Sequence, residues 1–182
     1  MRGVWYGAMM LGALAVAACG TEADTTAPRL APTDASSART AASQQRVTGS
    51  ATIALPMDGS PLERYSVSAI RHADGTVSGQ FEEFSEQDGG QRIHATVVCF
   101  TVAGNTARLA ARLDQSNVSF GPVGSYVVWS VIDNGEGRAD SPDETTDIFF
   151  GGTRAQAEFH CNVGFNLAPF FQSMRGNLQV DG

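Results

Sequence analysis

The sequence predicts an all-β domain, an antiparallel meander forming a small barrel or sandwich of about seven to nine strands. Three observations predict it. From residue 47 onward, short alternating apolar and polar segments are separated by Gly, Asn and Asp. Charged residues are only 17% of the chain while 20 of its 182 residues are Gly, a balance that suits turns better than long helices. No helical periodicity longer than a turn or two runs through residues 47–182.

The first two expected strands are 47–55 and 64–72. The turn Ala73-Asp74-Gly75 then leads into 76–85, Asp88-Gly89-Gly90 into 91–102, and Ala103-Gly104-Asn105 into 106–114. Asp-Gly and Gly-Asn supply the positive φ that tight hairpins require. Within 106–113, Ala107, Leu109, Ala111 and Leu113 share one face, and Thr106, Arg108, Ala110 and Arg112 the other. That is the pattern of a half-buried strand with one wet face. Residues 125–133 are more apolar throughout than the other segments, as in a central strand or one covered on both faces. Further strands are expected at 147–150, 156–160 and 176–180. Consecutive hairpins favour a meander over a Greek key. An outer-membrane barrel is disfavoured, because Arg108 and Arg112 punctuate the polar face and no aromatic girdle flanks the strands.

Ahead of this domain the chain changes character twice. Residues 1–18 read as an export signal: Arg2 is a positive n-region, and 4–18 is an uncharged apolar run ending in small residues. The run is shorter than the roughly 20 residues that a bilayer-crossing helix needs. Its end, Val16-Ala17-Ala18-Cys19-Gly20, resembles the lipobox of bacterial lipoproteins. That resemblance implies cleavage before Cys19 and acylation of its thiol and new amino group. Two or more acyl chains anchor stably where one is marginal. The membrane is then a partner through Cys19, and Gly20 after the Cys fits the outer membrane of a two-membraned host. Residues 19–46 have the composition of a disordered linker, built from Thr, Ala, Ser, Pro and Asp with Leu30 as the only large apolar side chain of 21–46. A flexible tether of that length reaches roughly 25–30 Å from its anchor. The organisation is thus signal peptide 1–18, linker 19–46 and β-domain 47–182, placed in the cell envelope with the domain in the periplasm or at the cell surface.

With Cys19 assigned to lipid, Cys99 and Cys161 are an even pair in an oxidising compartment, and a disulfide leads the alternatives of free thiols and a metal site. A zinc site would recruit His160 beside Cys161 and His94 before Cys99. Adjacent residues on a strand point to opposite faces, however, and so do His94 and Cys99 unless a bulge intervenes.

The loop 133–147 is the best ligand candidate. Its carboxylates include Asp133, Glu136, Asp140 and Asp143, with glycines between them. Oxygen ligands on a bendable loop are what Ca²⁺ requires, although the spacing does not reproduce an EF-hand. The plainer reading is a solvated loop with Asp133-Asn134-Gly135 as its turn. Nucleophilic catalysis finds no support in motifs: the chain has no G-x-S-x-G, H-E-x-x-H, S-x-x-K or phosphate-binding glycine loop. Paired acids such as Glu82-Glu83 and Asp143-Glu144 are commoner at surfaces than in glycosidases. His72 beside Asp74 reads as a turn residue, and His94 as a strand position. Six of the ten Phe fall at 149, 150, 159, 165, 170 and 171. Closing the core is the first expectation for them, and lining an apolar pocket the second.

A net charge of −7, with every one of the 12 basic residues an Arg scattered among carboxylates, argues against nucleic acid as a partner. The stretches 71–81, 99–107 and 131–137, with the closing Arg175-Gly176-Asn177-Leu178-Gln179-Val180, resemble a small exported bacterial β-domain found in lipoproteins and secreted proteins of unassigned function. The resemblance implies that the turns and the Cys pair are family architecture, and it implies no activity. The expected function is a non-enzymatic binding or protein-interaction module of the envelope, with no resident cofactor. A lipocalin-like carrier of a small apolar ligand, whose inward positions would include Ala95, Ala107 and Ala111, is the alternative. A hydrolase built around His94 is the third reading.

Overall fold

The computed structural model describes residues 44–56, 61–86, 89–136 and 141–182. The signal, Cys19 and nearly all of the linker lie outside the described residues, as do Asp140 and the tips of two hairpins. What is described is a single curled antiparallel sheet forming a half-barrel, with one short helix on its outer face. The strands are β1 (Gln45–Ala54), β2 (Leu62–Arg71), β3 (Val77–Ser85), β4 (Gln91–Ala103), β5 (Thr106–Ser116), β6 (Tyr126–Ile132), β7 (Glu144–Thr146), β8 (Phe149–Gly152), β9 (Phe170–Gln172) and β10 (Arg175–Asp181), and the helix is α1 (Arg154–Asn162). β1 to β7 follow one another across the sheet, as expected of a meander, with β9 beyond β7, β10 outside β1, and β8 paired to β6.

The β2–β3 hairpin shows how the sequence sets each corner. Asp74 accepts hydrogen bonds from the Thr76 amide at 2.9 Å and the Thr76 hydroxyl at 2.6 Å, and Gly75 turns the chain at φ 84°. Inward positions then alternate along β2 and β3 and through the first half of β4. Phe81, Phe100, Leu109, Leu113 and Trp129 are each at most 1% exposed. The Phe81 and Trp129 rings lie 4.1 Å apart. Ala95, Ala107 and Ala111 belong to this same packed cluster, so their small side chains make room for aromatic neighbours.

The residues expected to form a strand at 156–160 are helical. Alternation there is too short to separate two residues of strand from half a turn of helix, and the start signal lies just before it. Thr153 and Gln156 form a reciprocal capping box: the Thr153 hydroxyl accepts from the Gln156 amide, and the Gln156 side chain accepts from the Thr153 amide. The helix covers the supposedly wet face of β5. Ala110 and Val128 form a second cluster with Ala157, Cys161 and Leu167. That is why β6 is buried on both faces, as its composition predicts.

Cys99 and Cys161 are disulfide-bonded, with Cα atoms 6.2 Å apart. The pairing of β4 with β5 skips a residue between Val97 and Cys99. This bulge shifts the phase of the strand, so Cys99 faces α1 while Phe100 still points into the core.

The two ends of the sheet meet in one stretch of chain. β9 pairs with β7, and β10 pairs with β1. Between them the Ser173 amide bonds the Asp143 carbonyl and the Met174 amide bonds the Thr52 carbonyl, both at 2.7 Å. At the β1–β10 pairing, Gly49 and Gly176 both have positive φ, and a Cβ on either would run into the backbone of the opposite strand.

Candidate functional site

The most distinctive surface lies where α1 meets the sheet. Val128 from β6, Phe149 and Phe150 from β8, Gln156 from α1, and Phe165 and Leu167 from the following loop enclose an apolar pocket of about 290 Å³. Phe149 is 45% exposed, Phe159 46% and Phe165 37%. The aromatic cluster therefore does not close the core, contrary to the first expectation. Ring contacts extend it on both sides of the pocket: Phe120 packs edge-on against Phe150 at 5.2 Å, and Phe159 lies 5.1 Å from Phe165. Exposed apolar surface of this kind marks interaction sites on proteins.

Three devices hold the pocket walls. The disulfide ties α1 to β4. Arg108 donates to the carbonyls of Val163 at 2.5 Å and Asn162 at 3.5 Å, at the negative end of the helix. His160, wholly buried, donates from Nε2 to the Trp129 carbonyl at 2.9 Å and accepts at Nδ1 from the Phe165 amide at 3.2 Å. Those two bonds require the neutral imidazole, and burial lowers its pKa accordingly. The ring also stacks on Phe165 at 5.7 Å. His160 is thus a positioning residue for the pocket rim. Sequence reading treated it only as a neighbour of Cys161, because its partners are 31 residues upstream or lie beyond the helix end.

Three carboxylates of the acidic loop reach β10. Asp143, only 5% exposed, accepts from the Asn134 amide at 2.9 Å and the Leu178 amide at 2.6 Å. Asp133 accepts from the Gly135 amide at 2.8 Å and the Val180 amide at 2.9 Å. Glu136 receives the side-chain amides of Asn177 and Gln179. Asp143 and Asp133 satisfy strand amides of β10 that have no ladder partner on its outer edge, and Glu136 holds two of its side chains. Asp140 lies outside the described residues. Among the described residues no group of three or more His, Cys, Asp or Glu is placed to hold a metal ion.

Inside the half-barrel, Glu63 on β2 and Glu83 on β3 are 1% and 7% exposed. Burial pushes Glu63 up to about 10 and Glu83 to about 7, and it also raises Asp147 in the β7–β8 connection. Nothing in the sequence flagged Glu63. Glu82 and Glu83, read there as a surface pair, point to opposite faces, and Glu82 is exposed.

His94 lies 4.0 Å from Glu82 on the outer face of the sheet. Among the described residues no hydrogen bond links it to a serine or cysteine. His72 bonds Ser78 at 2.9 Å beside its turn. Among the described residues no helix is long and apolar enough to cross a membrane. The fold and site define a class: a small antiparallel half-barrel carrying a disulfide-tethered helix and an aromatic pocket. No family model, curated protein or solved structure matches the chain.

Proposed function

We propose that this chain is a lipoprotein of the bacterial envelope, held to a membrane through acylated Cys19, whose β-domain is a non-enzymatic binding module. The aromatic pocket carries the reading. Phe149, Phe159 and Phe165 stand exposed around an apolar recess while Phe81, Phe100 and Trp129 fill the core. A recess of about 290 Å³ is at the small end for sites that enclose a whole ligand, typically about 300–1,000 Å³. It suits one aromatic or branched aliphatic side chain, the usual anchor of a protein interface. The partner that fits is therefore an envelope protein presenting such a side chain. The carrier alternative survives only for a ligand with one compact apolar group, since the inward positions once assigned to a cavity are packed. The lipobox-like Val16-Ala17-Ala18-Cys19-Gly20 supports the membrane, the outer one in a two-membraned host.

A photo-crosslinking benzophenone side chain placed at Phe149 in the native envelope tests both parts. A discrete crosslinked protein is expected from position 149 and not from Thr96 on β4, which does not line the pocket. Cys19→Ser is expected to abolish it and to release the chain from the membrane fraction. Equal crosslinking at both positions would overturn the pocket reading, and a membrane-retained Cys19→Ser chain would overturn the anchor.

A further inference from the structure

Three carboxyl groups converge inside the half-barrel without a counter-charge. Glu63 pairs across the ladder with Ser85, and Tyr65 with Glu83, which sets the two glutamates on neighbouring inward positions. Asp147 faces both from the β7–β8 connection. Among the described residues no amide, hydroxyl or cation bonds either oxygen of Glu63 or Oε2 of Glu83, and the polar groups nearest Glu63 are the other two acids. Tyr65, a residue only 3% exposed, faces Thr145 as well as Glu63 and Asp143. Ile53 stands opposite Glu63 on β1, Ile93 stands opposite Glu83 on β4, and β7 brings Thr145 and Asp143 to Tyr65. No cation faces the cluster among the described residues.

The three members are not equally free to move. Glu63 and Glu83 sit within the long ladder of β2 and β3. Asp147 sits in no ladder, and its carboxylate accepts the amide of Ile148 at 2.7 Å. Two residues later begins β8, which supplies Phe149 and Phe150 to the pocket and pairs with β6 only at Tyr126↔Gly152 and Val128↔Phe149. Charge accumulating on the glutamates therefore acts on the one carboxylate outside the ladder, and through Ile148, whose side chain is seated in the core, that carboxylate is joined to the pocket wall.

We propose that ionisation of the Glu63–Glu83–Asp147 cluster displaces the 147–150 segment and opens the aromatic pocket, so that proton concentration regulates apolar binding there. Regulation of binding rests on the pocket being the binding site; the movement itself does not. The sign follows from the buried acids holding their protons more tightly in the folded chain. Their stabilisation of the closed form is complete below the ordinary glutamate range near about 4.3. It is lost as pH rises through about 7 for Glu83 and on toward about 10 for Glu63. His160 acts with the opposite sign at the other wall, where protonation at acid pH would break its bond from Phe165.

The test is amide NMR of the full chain in detergent between pH 5 and pH 9, following Phe149–Gly152. A common titration of these amides with a midpoint near 7 is expected, abolished in Glu83→Gln and retained in the exposed-face control Glu82→Gln. If the closed form alone binds, the affinity for the neutral probe N-phenyl-1-naphthylamine should fall roughly tenfold from pH 6 to pH 8. Amides of β8 that do not titrate, or titrate unchanged in Glu83→Gln, would overturn the gate. A β8 titration with no probe binding at any pH would leave the gate standing and count against the pocket as a binding site.

Discussion

Single side chains decide most of what distinguishes this domain, and Asp143 shows how. One carboxylate, 5% exposed, joins the loop before β7 to the edge of β10 through two charge-assisted bonds. Asp143→Ala should cost about 3 kcal/mol or more, because it leaves the amides of Asn134 and Leu178 without partners. Urea denaturation of the variant checks this, and added chelator should leave wild-type stability unchanged if the loop is purely a clamp. Composition made the loop look like an ion site because carboxylates spaced by glycines serve a cation and a strand edge equally well. Which of the two they serve depends on β10, which lies more than 30 residues further along the chain. Cys99 and Cys161 were more legible, since an even pair in a chain that reads as exported has few alternatives. Residues 160 and 161 nonetheless belong to a helix and not to a strand, so strand alternation does not separate them. His160 and Cys161 are both buried on one helix, and the bulge before Cys99 puts it on the same outer face as His94.

At the scale of elements, the hairpins from β1 to β6 could be read directly, because alternation of two and turn chemistry are local signals. The helix could not. Its nine residues bury only Ala157, His160 and Cys161, a stripe too thin to register as a 3.6-residue period. Its position is fixed instead by contacts distant in sequence: the bridge to Cys99 and the guanidinium of Arg108. Joining residues 62 apart, the bridge stabilises the fold by about 4 kcal/mol in the chain-entropy model. The double variant Cys99→Ala/Cys161→Ala should therefore lose about that much in equilibrium unfolding. Amide protection should fall first in α1 and leave β2–β4 intact. Uniform loss across the sheet would mean that the helix is integral to the half-barrel and not an attachment. The strands β7 and β9, three residues each, are too short for alternation to register, and they are held by pairing with distant partners, β7 between β6 and β9 and β9 on β7.

At the scale of the whole molecule, two kinds of aromatic residue are separated. Those carried on the long ladders of β3, β4 and β6 fill the interior, and those after residue 148 largely remain outside. The sequence announced the second group by its density but not by its destination. Alternation identifies an inward position only where the chain is a strand, and much of 149–171 is helix or loop. The same separation leaves the interior acids with no partner of opposite charge, and leaves the outer pocket beside the least anchored strand. In the proposed function this pocket takes up an apolar group. The most direct measurement is fluorescence titration of the full chain with N-phenyl-1-naphthylamine at pH 6, beside Phe149→Ser/Phe165→Ser and the remote variant Arg64→Ala. Saturable one-site enhancement, kept in Arg64→Ala and lost in the double Phe variant, is the predicted result. Enhancement that never saturates, or that survives unchanged in Phe149→Ser/Phe165→Ser, would contradict it.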